Sequence, residues 1–160
     1  MTHADGHYEL AIRARIDAPL DVVQRAITDY ANLAAINPDI EVSELLETTA
    51  AGVSTVRTVI RVCILVFCKQ VEQLQRVTYP DAQTIEAMII PEGSDFRSGL
   101  ARWQLSSPTA ATTELQFNER FEPDFWVPPV IGTWLIERKL VREVSETTAY
   151  IEALQGAGRP

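Results

Sequence analysis

At 160 residues the chain has the length of one domain and enough surface to bury a real core. Its hydrophobic share of 46% and charged share of 22% are those of a globular protein, and no apolar run approaches the roughly 20 residues a membrane span needs. A net charge of −8 repels phosphate backbones and argues against nucleic acid as a partner.

Residues 1–7 read as a flexible tail. Met1 to Gly6 has neither a basic region nor an apolar run, so no export signal is expected; the sequence names no compartment, the cytoplasm being favoured. From Tyr8 the chain alternates, with Tyr8, Leu10, Ile12, Ala14 and Ile16 on one side and charged residues mostly on the other. That is a half-buried strand. Asp17-Ala18-Pro19 opens a helix, with Pro19 in the first turn and Asp21 near its positive end. Val22, Val23, Ala26, Ile27 and Tyr30 form its apolar face. Ala31 to Ile36 is a second short helix or turn, stopped by Asn37-Pro38.

Six strands are predicted next, at roughly 40–49, 53–64, 68–78, 83–91, 98–106 and 111–122. Turn residues separate most of them: Ala51-Gly52, Pro80-Asp81, Pro91-Glu92-Gly93 and Ser107-Pro108. The stretch from Val53 to Thr78 is too long for one strand, and a hairpin turn at Ile64-Leu65-Val66-Phe67 divides it. Cys63 then faces Cys68, Arg61 faces Gln70 and Val59 faces Glu72. Both strands alternate consistently in this register, which a one-residue slip would destroy. Thr58, Gln73 and Gln75 project inward, where they need hydrogen-bond partners in the protein or in a ligand. The apolar tip has two readings: neighbouring elements cover it, or it makes transient contact with a protein or membrane surface.

A long amphipathic helix closes the chain, opening at Pro128-Pro129 and running to about Leu154. Ile136, Leu140, Val144, Thr147, Ile151 and Leu154 share its apolar face, and Glu143 is placed largely off it. The expected class is α+β, an antiparallel sheet with the helices on one side. One helix on a curved sheet cannot fill the concave side along its whole length, so an internal pocket is expected.

Ile16-Asp17-Ala18-Pro19-Leu20-Asp21-Val22-Val23, Asp29-Tyr30-Ala31-Asn32-Leu33 and Asn37-Pro38-Asp39-Ile40 resemble the opening of the polyketide cyclase/dehydrase and lipid-transport superfamily, also called START-like, helix-grip or SRPBCC. Trp103, Pro123-Asp124-Phe125 and Pro128-Pro129-Val130-Ile131-Gly132 resemble later signposts of its coenzyme Q-binding and ribosome-association toxin branch. The resemblance implies a seven-stranded sheet wrapped around the C-terminal helix, over residues 8–155, with residues 156–160 a flexible tail. It also implies a hydrophobic cavity and a lipid, quinone or polyketide-like ligand.

Glu119 alternates with Leu115, Phe117 and Phe121. A carboxylate on that apolar face could be a base with a raised pKa, or an acid paired with an arginine at the sheet's end. Trp103, Phe117 and Trp134 are candidate cavity walls, Tyr30 a candidate cap and Met88 an adaptable wall residue. The only histidines, His3 and His7, sit at the start, and no metal, redox or nucleophile motif is present. No cofactor, no metal site and no catalytic residue is therefore assigned. Cys63 and Cys68 are expected as reduced thiols, with a cross-strand disulfide as the alternative.

Three functions compete. The first is binding or transport of an apolar small molecule in the cavity, oriented by Thr58, Gln73, Gln75 or Glu119. The second is a cyclase/dehydrase-like enzyme using a buried carboxylate. The third is a protein-interaction module acting through the outer sheet or the Ile64–Phe67 tip.

Overall fold

The computed structural model describes residues 2–4, 6–64, 67–127 and 132–157. Strand β1 (Thr2–Ala4) precedes β2 (His7–Ile16), and two short helices follow, α1 (Leu20–Thr28) and α2 (Leu33–Ile36). Strands β3 (Ile40–Thr48), β4 (Ser54–Ile64), β5 (Phe67–Asp81), β6 (Thr84–Ile89), β7 (Phe96–Thr109) and β8 (Thr112–Pro123) come next. Helix α3 (Gly132–Ala157) ends the chain. The strands form one antiparallel sheet in the order β1-β2-β8-β7-β6-β5-β4-β3. Seven of them make the curved sheet of a helix-grip fold, with α1 and α2 after its first long strand. No described helix is long and apolar enough to cross a membrane.

Strand β1 is an addition to the expected order. Thr2 to Ala4 pair with His7 to Glu9, so part of the segment read as a tail is an edge strand. At the other end, α3 continues to Ala157, three residues beyond Leu154. Residues 128–131, where the helix was expected to open, lie outside the described residues, as do Leu65 and Val66 of the apolar tip.

The β4–β5 hairpin has the predicted register. Val59 faces Glu72, Arg61 faces Gln70, Cys63 faces Cys68 and Ile64 faces Phe67. The cysteines are joined by a disulfide, which corrects the expectation of reduced thiols: the register sets them directly opposite each other. Strands β5 and β7 run further than expected. Each passes through its proline, Pro80 or Pro108, before turning at Ala82-Gln83 or Ala110-Ala111. Register shifts between Thr78 and Asp81 and between Ser106 and Thr109 accommodate residues that have no N–H to give the ladder.

Strand β6 ends at Ile89, and beyond it side chains from the β6–β7 loop substitute for strand pairing. Leu74 N–H donates to Ser94 Oγ at 2.8 Å and Glu72 N–H to Asp95 Oδ2 at 2.8 Å. This holds β5 straight through the stretch that carries Gln73 and Gln75.

The buried apolar residues gather in separate clusters. One joins the helices to an end of the sheet through Ile16, Ala18, Val23, Ala26, Ile36, Leu105, Leu115 and Ile151. The buried Thr113 hydroxyl donates to the Ala18 carbonyl at 2.8 Å and ties the start of α1 to β8. A second cluster, Val71, Ile89 and Phe96 with Phe121 and Phe125 packed on it, closes the other end. There Phe96 meets Phe121 and Phe125 edge-on at 5.8 and 5.9 Å. Lys69 Nζ lies 4.4 Å from the centre of the Phe125 ring, a cation–π contact that covers this end.

Gly99 is where β6 and β7 approach most tightly. A Cβ there would sit 2.6 Å from Ile89 Cγ1, closer than packed carbons tolerate. Gly99→Val is expected to lower stability by about 1–3 kcal/mol, as overpacking does, in chemical denaturation; a second change, Ile89→Ala, restores part of the loss introduced by the valine.

Candidate functional site

Between these clusters lies a cavity of about 270 Å³, just under the volume range typical of small-molecule pockets. Its sheet wall comes from alternate positions of the inward face. Val56, Thr58 and Ile60 of β4, Gln73, Gln75 and Val77 of β5, Ile85 and Ala87 of β6, Ala101 and Trp103 of β7, and Leu115, Phe117 and Glu119 of β8 contribute. The helical segment adds Ile27, Tyr30, Leu33, Ile36 and Asn37. Helix α3 adds Glu143, Val144, Thr147, Thr148 and Ile151.

The open space has a local cause. The cross-strand row Val77, Ala87, Ala101, Glu119, Leu10 is set by the register of four ladders. Two neighbours in that row are alanines, and they leave the volume beside Glu119 unfilled. One row further along, Trp103 tilts against Phe117 at 5.1 Å between ring centres and makes an aromatic wall.

The polar groups differ in how far the protein satisfies them. Thr58 Oγ1 donates to Gln73 Oε1 at 3.4 Å, and Asn37 Oδ1 accepts from Asp39 N–H at 2.9 Å. Tyr30 and Tyr79 hydroxyls lie 2.7 Å apart, and the Ser43 hydroxyl donates to the Tyr30 carbonyl. Burial first, and then the bond to Tyr79, pushes the Tyr30 phenol well above its ordinary value. Tyr30 is thus a neutral cap tied to β5 and β3. Neither the Gln75 amide nor the Glu119 carboxyl has a hydrogen-bond partner among the described residues.

Glu119 is the electrostatic centre of the cavity. Burial, with a smaller contribution from the like charge of Glu143 on α3, pushes its carboxyl up to about 7. Arg102 does not neutralise it. It points to the outer face and pairs with Glu86 at 2.8 Å.

Seven of the nine residues singled out from sequence line this cavity: Tyr30, Thr58, Gln73, Gln75, Trp103, Phe117 and Glu119. Met88 does not. It is 51% exposed, because its neighbours Ala87 and Ile89 take the inward positions of β6 and alternation turns it outward. Trp134 falls in the first turn of α3, and its side chain lies outside the described residues. On the predicted helix stripe, Ile151 is 0% exposed and Leu154 45%, so the buried face ends a turn earlier than expected; the Ile136 and Leu140 side chains are not among those described. Glu143, read as off the stripe, faces the cavity. The signal was its spacing of four and eight from Thr147 and Ile151. Ala87 and Ala101 were also missed, although each alternates with bulkier inward residues.

The sequence profile of a family described as polyketide cyclase/dehydrase and lipid transport matches residues 8–152. None of the curated proteins matches the chain. Among solved structures, a START superfamily protein from Mycobacterium smegmatis superposes with a TM-score of 0.79 at 19% identity, covering 93% of this chain and 99% of its own. The Zhui aromatase/cyclase from Streptomyces sp. R1128 gives 0.72 at 16%, covering 92% of each chain. Ginseng major latex-like protein 151 from Panax ginseng gives 0.64 at 14%, covering 91% and 97%. At these identities the likeness is one of fold.

The raised Glu119 carboxyl has a signed consequence for stability. The folded protein holds its proton to about pH 7, whereas the unfolded chain releases it near 4.5. The stabilising contribution is complete below the lower value and is lost as pH rises through the upper one. Glu119→Gln removes this loss. Relative to the native protein, the variant is expected to gain about 2–3 kcal/mol between pH 4.5 and 8, by linkage, in urea denaturation at both values.

Proposed function

The chain belongs to the polyketide cyclase/dehydrase and lipid-transport family, and from that premise we propose that it binds an apolar small molecule between the sheet and α3, sequestering or delivering it. The observation that carries this reading is the composition of the cavity wall. Isoleucine, valine, leucine, alanine and aromatic side chains supply most of the lining, and a few separated polar groups interrupt it. Apolar walls give affinity by burying ligand surface, and sparse polar groups fix orientation. Trp103 and Phe117 offer flat faces to a ring system, such as a quinone or polyketide-like molecule. Thr58, Gln73, Gln75 and Glu119 meet its polar end, and Tyr30 caps it.

One observation favours a second reading. A buried carboxyl pushed up to about 7 is poised to take a proton from a bound substrate, as cyclase/dehydrase chemistry requires. That reading calls for turnover that rises with pH through about 7 and disappears in Glu119→Gln. If the variant turns over a cyclisable substrate as fast as the native protein, Glu119 is not its base.

The carrier reading is tested first by native mass spectrometry of gently purified protein, followed by extraction and identification of any released molecule. A titration with the neutral apolar fluorophore N-phenyl-1-naphthylamine then locates the site. Ala101→Phe places a ring in the open space and is expected to weaken binding by about tenfold or more, or roughly 1.4 kcal/mol, with an unchanged circular dichroism spectrum. Equal affinity of variant and native protein would place the fluorophore elsewhere.

A further inference from the structure

The cavity has a charge as well as a shape. Glu119 from β8 and Glu143 from α3 both line it, and among the described residues no lysine, arginine or histidine does. The two carboxyls are close enough for Glu143 to raise the pKa of Glu119. The Glu119 carboxyl has no hydrogen-bond or ion-pair partner among the described residues, and the space beside it is kept open by Ala87 and Ala101.

We infer that the ligand of this cavity is an amphiphilic amine, its protonated nitrogen seated at Glu119 and its apolar body against the Trp103–Phe117 wall. This inference rests on the small-molecule reading above and adds a ligand class to it.

The argument runs by elimination of head groups. A carboxylate or phosphate would bring negative charge beside Glu119, a buried acid with no ion-pair partner among the described residues, and like charges in a low dielectric repel strongly. A carbonyl or hydroxyl head needs hydrogen-bond donors or acceptors, and the amides of Gln73 and Gln75 supply both. Those amides cannot supply negative charge. For a neutral head group the amides suffice, whereas a desolvated carboxyl costs stability as soon as it ionises. A cationic nitrogen uses it: the ammonium gains a charge-assisted hydrogen bond and compensates the charge of the Glu119 carboxylate. The net charge of −8 draws cations toward the protein and anions away from it.

The test compares three probes that share one apolar body: 2-(2-naphthyl)ethylamine, 2-(2-naphthyl)ethanol and 2-naphthylacetic acid. Binding is followed by calorimetry on the full chain at pH 8, where the amine is protonated and Glu119 is ionised. The amine is expected to bind at least about tenfold more tightly than the alcohol, and the acid more weakly than either. In Glu119→Gln the amine preference is expected to fall below about threefold. Glu114→Gln removes an exposed acid from the outer face of the same strand and is expected to leave the preference intact. Should the alcohol or the acid match the amine in the native protein, the amine assignment is wrong while the small-molecule reading stands. Loss of the preference in Glu114→Gln as well would assign it to surface charge and overturn the inference. If none of the three probes binds, both readings fail together.

Discussion

Among the described side chains of the long helix, those that face the sheet across the cavity run from Glu143 to Ile151. Ile151 is fully buried against the cluster that includes Ile16 and Leu115, and α3 has its principal sheet contact with β2, together with contacts to α1 and α2. Strands β4 to β7 curve past the helix without being covered by it to the same extent. This one-sided docking lets the sheet twist normally while leaving a gap that no single helix can fill. The two ends of the gap are bounded by different means, aliphatic packing under α1 and α2 at one and the Phe96–Phe121–Phe125 group at the other. Small residues in the middle complete the effect. Alanines at 87 and 101 do in the wall what a shorter helix would do above it.

An ionisable group in such a gap has consequences for the whole molecule. A carboxylate removed from water prefers to hold its proton, and a second carboxylate nearby deepens that preference. The fold therefore carries a group that is neutral below neutrality and charged above it, in a wall made mostly of hydrocarbon. Tyr30 contrasts with it. Its hydroxyl is bonded to Tyr79 and stays protonated throughout the range in which proteins work. Of the two ionisable groups singled out from sequence on this wall, one is structurally satisfied and the other has no hydrogen-bond partner among the described residues. The acid–base reading and the amine inference turn on that difference.

The outer face of the sheet has a separate economy. Arg57 bridges Glu44 and Glu72, Arg97 reaches Glu122 and Asp124, and Arg102 pairs with Glu86. These are exposed or half-exposed pairs, of the kind worth about 1 kcal/mol or less. They order the surface of a highly charged sheet, and none of these arginines lines the cavity.

Sequence alone determined the strand register of the central hairpin. Alternation from Val56 to Cys63 and from Cys68 to Gln75 permits one pairing, because a shift by one residue would exchange the inside and outside faces. It likewise determined that Thr58, Gln73, Gln75, Trp103, Phe117 and Glu119 face one side, since side-chain direction in a strand has a period of two and needs no tertiary information. What only the tertiary structure decided was how far apart the two sides of the cavity stand. That distance depends on where α3 touches down, and hence on which turns of the helix are buried: Leu154 turned out exposed and Glu143 faced inward, because the docking angle of a helix is not written in its stripe. The disulfide belongs to the same class of result. Register brought Cys63 and Cys68 opposite each other, but sequence left both a thiol pair and a bond open, and three-dimensional proximity chose between them.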